Sequence, residues 1–173
     1  MRLKRGKTHF VHIVHNVLVA IVNMFLCGNH FWGVKVFLLR LAGAKLGKHV
    51  KIVGPIYFAS ALTIGDNCWV GRNFAAYGSG AVSIGRDCDL GPEVVVLTGS
   101  HQIGGARRAG KGLRLKVDIG DGTWIGARAT ILGNVTIANG CVVGCCSLVN
   151  QDVPANCLVA GVPGKVVRAL EDD

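Results

Sequence analysis

The chain has 173 residues, which suits a single domain with one hydrophobic core. Half of the residues are hydrophobic, yet only 6% are aromatic and 25 are glycine, so the composition favours stacked small aliphatic side chains over large rings. The net charge of +9 is not accompanied by a recognition-helix, zinc-finger or RNA-binding signature, and nucleic acid is therefore not expected as a partner.

The first part of the chain, residues 1–45, is an apolar and basic segment. No Asp or Glu precedes Asp66, a bias that suggests an anionic surface or ligand near this part. The cations of this acid-free stretch are Arg2, Lys4, Arg5, Lys7, Lys35, Arg40, Lys45, Lys48 and Lys51. The sequence predicts an amphipathic helix over residues 10–26 and a second over residues 31–41.

The helix predicted over residues 10–26 is a little short of the roughly 20 apolar residues needed to cross a bilayer. Two interpretations remain open for it. It packs on the end or side of the following domain, or it lies in the interface of an anionic membrane. No small-x-small cleavage site follows Leu26, so a secretory signal peptide is not expected.

A ladder of aliphatic residues with a period of six organises residues 46–173. Its positions are Leu46, Ile52, Phe58, Ile64, Val70, Ala76, Ile84, Leu90, Val96, Leu113, Ile119, Ile125, Ile131, Ile137, Val143 and Val149. Small or β-branched residues generally stand four positions later. A period of six is neither that of a helix nor that of an ordinary strand, and it predicts a parallel β-helix of about five coils.

The ladder is interrupted twice. A two-residue bulge is predicted within residues 77–82, and an inserted loop over residues 102–112. A long insertion in a regular repeat usually serves function. His101 immediately precedes this loop, and a neutral imidazole there could act as a general base near pH 7. A surface histidine at the root of a loop is the alternative interpretation.

The seven cysteines include no C-x-x-C pair and do not form a disulfide framework. Cys68, Cys88 and Cys141 occupy the small inward position of the repeat, where a thiol acts as a compact hydrophobe. We therefore expect a reducing, cytoplasmic location. A zinc site of three histidines from neighbouring coils is not expected, because only His101 lies beyond His49.

Three further motifs accompany the hexads: Thr-Gly-Ser-His at residues 98–101, Ile-Gly-Asp-Gly-Thr-Trp-Ile-Gly at 119–126, and Ala-Gly-Val-Pro-Gly-Lys-Val-Val-Arg at 160–168. With these motifs the chain resembles the hexapeptide-repeat acyltransferases, and among them most closely the sugar O-acetyltransferases of colanic-acid, maltose and galactoside type. The resemblance implies a left-handed β-helix, acetyl-CoA as co-substrate, and a homotrimer with active sites between subunits.

The resemblance also implies roles for individual residues. His101 would be the general base in a direct transfer, and a backbone N–H such as that of Ala127 would stabilise the oxyanion. Trp124, Ala127 and Cys145 match positions that line the pantetheine arm, and Lys165 and Arg168 match positions that meet the adenosine phosphates. Glu93 or Asp89, on the neighbouring coil, would orient His101.

The resemblance implies acetylation of a sugar or oligosaccharide hydroxyl in exopolysaccharide, capsule or O-antigen synthesis. If the acceptor is lipid-linked, the basic N-terminal segment would hold the enzyme at the inner face of the cytoplasmic membrane. A serine O-acetyltransferase and a xenobiotic acetyltransferase acting on an antibiotic are the alternatives on the same fold. A non-catalytic scaffold is the alternative of another class.

Overall fold

The computed structural model describes residues 2–59 and 61–171, with side-chain environments from Phe10 onward. Met1, Ser60 and the last two residues of the acidic tail, Asp172 and Asp173, lie outside the described residues. Two helices, α1 (Arg2–Phe25) and α2 (Trp32–Leu41), precede a solenoid of short parallel strands.

Three parallel sheets form the faces of a triangular prism. Sheet A contains β1 (Lys45–Leu46), β4 (Ala61–Ile64), β7 (Ala81–Ile84), β12 (Lys116–Ile119) and β15 (Val135–Ile137). Sheet B contains β2 (Lys51–Ile52), β5 (Trp69–Val70), β8 (Asp89–Leu90), β13 (Trp124–Ile125), β16 (Val142–Val143), β18 (Cys157–Ala160) and, antiparallel at its end, β19 (Lys165–Ala169). Sheet C contains β3 (Ile56–Phe58), β6 (Phe74–Tyr77), β9 (Val95–Leu97), β14 (Thr130–Leu132) and β17 (Leu148–Val149).

The chain visits sheets A, B and C in turn, completing five coils and beginning a sixth at Val153 and β18. This architecture confirms the predicted β-helix and matches the left-handed hexapeptide fold. Every ladder position except Leu113 is at most 8% exposed, so the period of six correctly identifies the inward side chains. The interior is a stack of aliphatic residues with almost no polar atoms.

The ladder resumes later than the sequence predicts. Residues 99–114 form an antiparallel hairpin, β10 (Gly99–Ile103) and β11 (Ala109–Arg114). Leu113 pairs with Ser100 in this hairpin and is only half-buried, so its place in the core ladder was wrong. The coil resumes where the Leu115 N–H donates to the Thr98 carbonyl at 2.8 Å, and Val117 and Ile119 are the next core residues.

Four of the seven thiols, those of Cys68, Cys88, Cys141 and Cys157, are buried in the interior. Cys68, Cys88 and Cys141 are at most 1% exposed, as predicted, and all seven cysteines are free. A hydrogen bond with Cys88, and then burial, raise the pKa of Cys68. Burial likewise raises the pKa of Cys141. Thiols held protonated in this way serve as packing groups.

Helix α1 packs against the side of the first coil and covers the free edge of sheet C. The Asn23 side chain accepts from the Ile56 N–H at 2.9 Å and donates to the Ile56 carbonyl at 2.8 Å, as a neighbouring strand would. The ring nitrogens of His15 lie 2.8 Å from the carbonyl oxygens of Ala42 and Phe58. The interpretation of a packed helix is thus confirmed for one face of α1.

A buried lysine ties helix α2 to the segment that connects it to α1. Lys35 is fully buried, its Nζ donates to the Gly28 carbonyl at 2.6 Å, and the same nitrogen lies 4.2 Å from the centre of the Trp32 ring. Desolvation lowers the pKa of Lys35. Within residues 2–59 and 61–171, neither helix combines the length and the apolar character that crossing a bilayer requires.

Candidate functional site

His101 lies on the hairpin that leaves the prism between sheets C and A. The preceding strand β9 belongs to sheet C and the following strand β12 to sheet A. The side chain of His101 is exposed, and its Nδ1 lies 3.0 Å from the carbonyl oxygen of Gly110 on the opposite strand. The segment predicted as an inserted loop therefore presents the imidazole on an ordered two-stranded arm.

The contact with Gly110 determines the tautomer of His101. A carbonyl oxygen only accepts, so Nδ1 must carry the proton and donate it. In the neutral ring Nε2 is then the unprotonated nitrogen, with its lone pair available to accept a proton. This is the arrangement that a general base requires, and the orienting group is a backbone carbonyl.

The carboxylates suggested as orienting groups lie elsewhere. Glu93 accepts a hydrogen bond from the Arg128 Nε at 2.7 Å, an ion pair that raises the pKa of Arg128. Asp89 is on sheet B, between Trp69 and Trp124 in register. The expected orienting role of Glu93 or Asp89 is thus not seen within this chain, because the acceptor at His101 Nδ1 is the Gly110 carbonyl oxygen of the opposite hairpin strand.

The five residues predicted to contact the co-substrate gather on sheet B and its corner with sheet C. Trp124 projects from the outer face of β13 and is 55% exposed. Strand pairing places Trp124, Val142, Leu158 and Arg168 in one column across neighbouring strands. Three strand spacings of ~4.8 Å separate the first from the last, a span of about 14 Å.

Ala127 and Cys145 stand one above the other at the corner where sheet B turns into sheet C. A Cβ built on Gly126 would lie 2.7 Å from the Cys145 nitrogen, and one built on Gly91 would lie 2.7 Å from the Ala127 nitrogen, so this corner has room only for glycine at those two positions. Within the part of the chain that the structure describes, neither the Ala127 N–H nor the Cys145 N–H donates to another group. Both remain available to a ligand that runs along this edge.

Lys165 and Arg168 lie on β19, the last strand of sheet B, and both are exposed. Among the described residues, no carboxylate approaches either cation within 4.0 Å. Two cations without local acidic partners at the end of the Trp124 column suit an anionic group such as a phosphate.

The structure does not bring His101 and the sheet B residues of one chain together. His101 lies at the corner between sheets C and A, whereas Ala127 and Cys145 lie at the corner between sheets B and C. These are the two long edges of sheet C. A face of six residues is on the order of 15–20 Å wide, whereas reacting atoms must approach to about 3–3.5 Å.

A groove of about 330 Å³ runs between α1 and sheet C. Its lining residues are His15, Asn16, Val19, Ala20, Asn23, Tyr57, Phe58, Ala59, Ala76 and Tyr77. The groove adjoins the root of the hairpin, because the Tyr77 carbonyl accepts the Thr98 N–H at 2.7 Å and Gly78 contacts Gly99. Sequence reasoning missed this groove, since it treated the α1 histidines only as residues of a helix face.

Among residues 2–59 and 61–171, no group of three or more His, Cys, Asp or Glu side chains is placed to hold a metal ion.

Comparisons with known proteins identify relatives over most of the chain. The family described as bacterial transferase hexapeptide (six repeats) matches residues 116–151. The putative colanic acid biosynthesis acetyltransferase of Escherichia coli K12 is 34% identical over 140 residues, which are 78% of this chain and 74% of that protein. The galactoside O-acetyltransferase of the same organism is 30% identical over 138 residues, 78% of this chain and 68% of that protein.

A solved structure shares both the fold and the N-terminal helices. A hexapeptide-repeat acetyltransferase of Vibrio cholerae in complex with acetyl coenzyme A superposes with a TM-score of 0.83 and 28% identity. The match covers 96% of this chain and 90% of the other, so it includes α1 and α2 as well as the prism.

Proposed function

Since this chain belongs to the hexapeptide-repeat acetyltransferases, we propose that it transfers an acetyl group from acetyl-CoA to a sugar hydroxyl. The chain is an acyltransferase, and the proposal specifies its donor, its acceptor and its base. The single observation that carries the proposal is the His101 imidazole, whose Nδ1 is fixed by Gly110 and whose Nε2 is free.

Acetyl-CoA fits the outer edge of sheet B. The adenosine phosphates would meet Lys165 and Arg168, and the pantetheine arm would extend along the column toward Trp124. The N–H groups of Ala127 and Cys145 would donate to the amides or to the thioester carbonyl of the arm. The span of about 14 Å from Arg168 to Trp124 is one that an extended arm can bridge.

The reaction is a direct transfer in a ternary complex. His101 Nε2 accepts the proton of the acceptor hydroxyl while the oxygen attacks the thioester carbonyl carbon. The Ala127 N–H donates to the oxyanion of the tetrahedral intermediate. The intermediate collapses, the carbon–sulfur bond breaks, and the imidazolium returns the proton to the departing thiolate. The acetyl ester and free CoA balance the atoms.

The positions of the two half-sites support a homotrimer. Because His101 and Ala127 of one chain lie on opposite edges of sheet C, the His101 hairpin of one subunit would reach the Ala127 edge of its neighbour. A closed three-fold ring gives three identical sites of this kind. The site is incomplete in a single chain under this proposal.

The acceptor would lie in the groove between α1 and sheet C. Asn16, Tyr57 and Tyr77 offer hydrogen-bonding groups and aromatic faces, the usual partners of a sugar ring, beside the hairpin that carries His101. The relatives described as a galactoside O-acetyltransferase and as a putative colanic acid biosynthesis acetyltransferase support a role in surface polysaccharide synthesis. We place this role in the cytoplasm, where acetyl-CoA is available and the free thiols stay reduced.

The proposal is tested by measuring thiol release from acetyl-CoA by the purified protein with a panel of acceptors. The panel holds simple hexoses, a lipid-linked oligosaccharide extract, serine and chloramphenicol. We expect turnover with a sugar or with the lipid-linked material. Turnover with serine or the drug alone would overturn the acceptor class, and an absence of both turnover and CoA binding would overturn the enzyme assignment.

A further inference from the structure

Helix α1 has an apolar face that points away from the prism. Phe10, Ile13, Val17 and Met24 are 67%, 48%, 51% and 73% exposed. Their spacing of three, four and seven residues places them on one stripe of the helix. The face that packs on the prism instead uses His15, Val19, Val22 and Asn23, so two polar residues of α1 point inward while several of its large apolar residues point outward.

Helix α2 adds exposed apolar side chains of its own. Val34, Phe37 and Leu41 are 48%, 58% and 56% exposed, and Phe31 before the helix is 59% exposed. Soluble proteins rarely expose so many large apolar side chains on adjoining elements unless something covers them. We call the exposed residues Phe10, Ile13, Val17, Met24, Val34, Phe37 and Leu41 the outer face.

The charge of the first turns of α1, the helix that carries most of the outer face, indicates what covers this face. Four of the cations, Arg2, Lys4, Arg5 and Lys7, fall in the first two turns of α1, and the chain has no Asp or Glu before Asp66. A second copy of this face would bring the same cations together without any acid to oppose them. A bilayer with anionic headgroups supplies both apolar depth and negative charge.

We propose that the outer face binds the surface of an anionic lipid bilayer, with α1 lying parallel to it. Neither helix among the described residues suits a membrane span, which leaves surface binding as the mode. Because Asn16, Val19, Ala20 and Asn23 of the same helix line the groove, docking places the groove beside the headgroups. This inference rests on the proposed function, and it specifies that the acceptor sugar is attached to a membrane lipid.

The experiment is sedimentation of the full-length protein with vesicles of phosphatidylcholine alone or of phosphatidylcholine mixed with phosphatidylglycerol. We expect binding only to the mixed vesicles, weakening as salt rises. The triple variant Phe10→Ser, Ile13→Ser, Met24→Ser should lose at least ~10-fold in partition constant, since it removes three side chains that lipid would bury. The pair Lys4→Gln, Lys7→Gln should lose roughly fivefold per charge.

The matched control is Ile103→Ser, which removes an equally apolar side chain, 90% exposed, from the tip of the hairpin. It should bind vesicles as the unchanged protein does. Equal binding to both vesicle types, no binding to either, or equal losses in the control and the triple variant would each overturn the proposal. Self-association that the triple variant abolishes would do the same, because a second copy would then cover the face.

Activity separates this proposal from the previous one. The triple variant should retain turnover with a water-soluble acceptor, because none of its three residues lines the groove or the sheet B column. Turnover with the lipid-linked extract presented in anionic vesicles should fall about tenfold or more, in step with binding. If no acceptor is ever acetylated but anionic vesicles still bind, the proposed function fails and the docking surface stands.

Discussion

The Nδ1 of His101 donates a hydrogen bond to the carbonyl oxygen of Gly110 across a two-stranded hairpin, at 3.0 Å. This one contact orients the ring, selects the tautomer and leaves Nε2 free. In many histidine sites a carboxylate fills this place, and it also stabilises the imidazolium electrostatically. A neutral carbonyl supplies orientation with a weaker electrostatic contribution.

Replacing His101 by Ala should lower kcat by roughly 10²–10⁴-fold, the usual contribution of a general base. The measurement is thiol release from acetyl-CoA with the acceptor found in the panel. CoA binding by titration calorimetry and the oligomeric state by light scattering should stay unchanged, because the exposed imidazole has no role in the core. Full activity in the variant would exclude His101 as the base.

Gly110 should act as a positioning residue, because its carbonyl oxygen orients His101 and its lack of a side chain allows the hairpin strands to approach closely. A Cβ at Gly110 would lie 2.8 Å from the Gln102 carbonyl oxygen, so Gly110→Ala must shift the strand that holds His101. We expect kcat to fall about tenfold to a hundredfold, as a small misplacement of a catalytic group does, with KM for acetyl-CoA unchanged.

The matched control is Gly112→Ala on the same strand, where a new Cβ meets no atom within 4 Å. It should keep near-normal kcat. Equal effects of the two substitutions would show that the hairpin responds to any added side chain, and the positioning role of Gly110 would be lost.

The sequence predicts the interior well because the repeat fixes it. Six residues make one face and one corner, and alternation within the strand then decides which side chains point inward. The prediction for Leu113 was wrong because the period of six carries no information about where a hairpin leaves the coil. Pairing with Ser100 removed this residue from the coil although its type and spacing fit.

The site is predicted less completely because parts of it have no sequence signal. His101 can be recognised in the sequence as a lone histidine before an insertion. The group that orients it is the backbone carbonyl of Gly110, and a backbone group leaves no signal in the sequence. The sequence also left undecided whether α1 packs on the β-helix or lies in a membrane interface. Its polar residues His15 and Asn23 interrupt an apolar arc, and only the structure shows that they bind carbonyls and an N–H at the free edge of the first coil.

Removing either cation of β19 should weaken acetyl-CoA binding without slowing the chemical step. Lys165→Ala and Arg168→Ala should each raise KM for acetyl-CoA roughly 3–10-fold with kcat unchanged, because exposed cations contribute modestly to phosphate binding. Rising salt should reduce the difference between variant and unchanged protein. Arg72→Ala, another exposed cation, serves as control, and an equal rise in KM there would point to a nonspecific charge effect.

The stability of the prism should depend on the inward residues far more than on the outward ones. Ile137 is fully buried in β15, and its neighbour Thr136 is exposed on the same strand. Ile137→Ala should lower the free energy of unfolding by about 2–5 kcal/mol, and Thr136→Ala by no more than about 0.5 kcal/mol. Urea titrations at one fixed protein concentration measure both, since oligomers make stability concentration-dependent. Similar losses for both would contradict the inward–outward assignment.

The groove between α1 and sheet C should control the acceptor and not the donor. Asn16 is exposed in the groove, and Tyr77 adjoins the root of the His101 hairpin. Asn16→Ala and Tyr77→Phe each remove a hydrogen-bonding group and should raise KM for the acceptor about 3–10-fold, while KM for acetyl-CoA stays constant. His12→Ala removes an exposed polar side chain of α1 that does not line the groove, and it should change neither constant. A rise in KM for acetyl-CoA in the groove variants would move the acceptor site elsewhere, because the column on sheet B and this groove occupy separate parts of each chain.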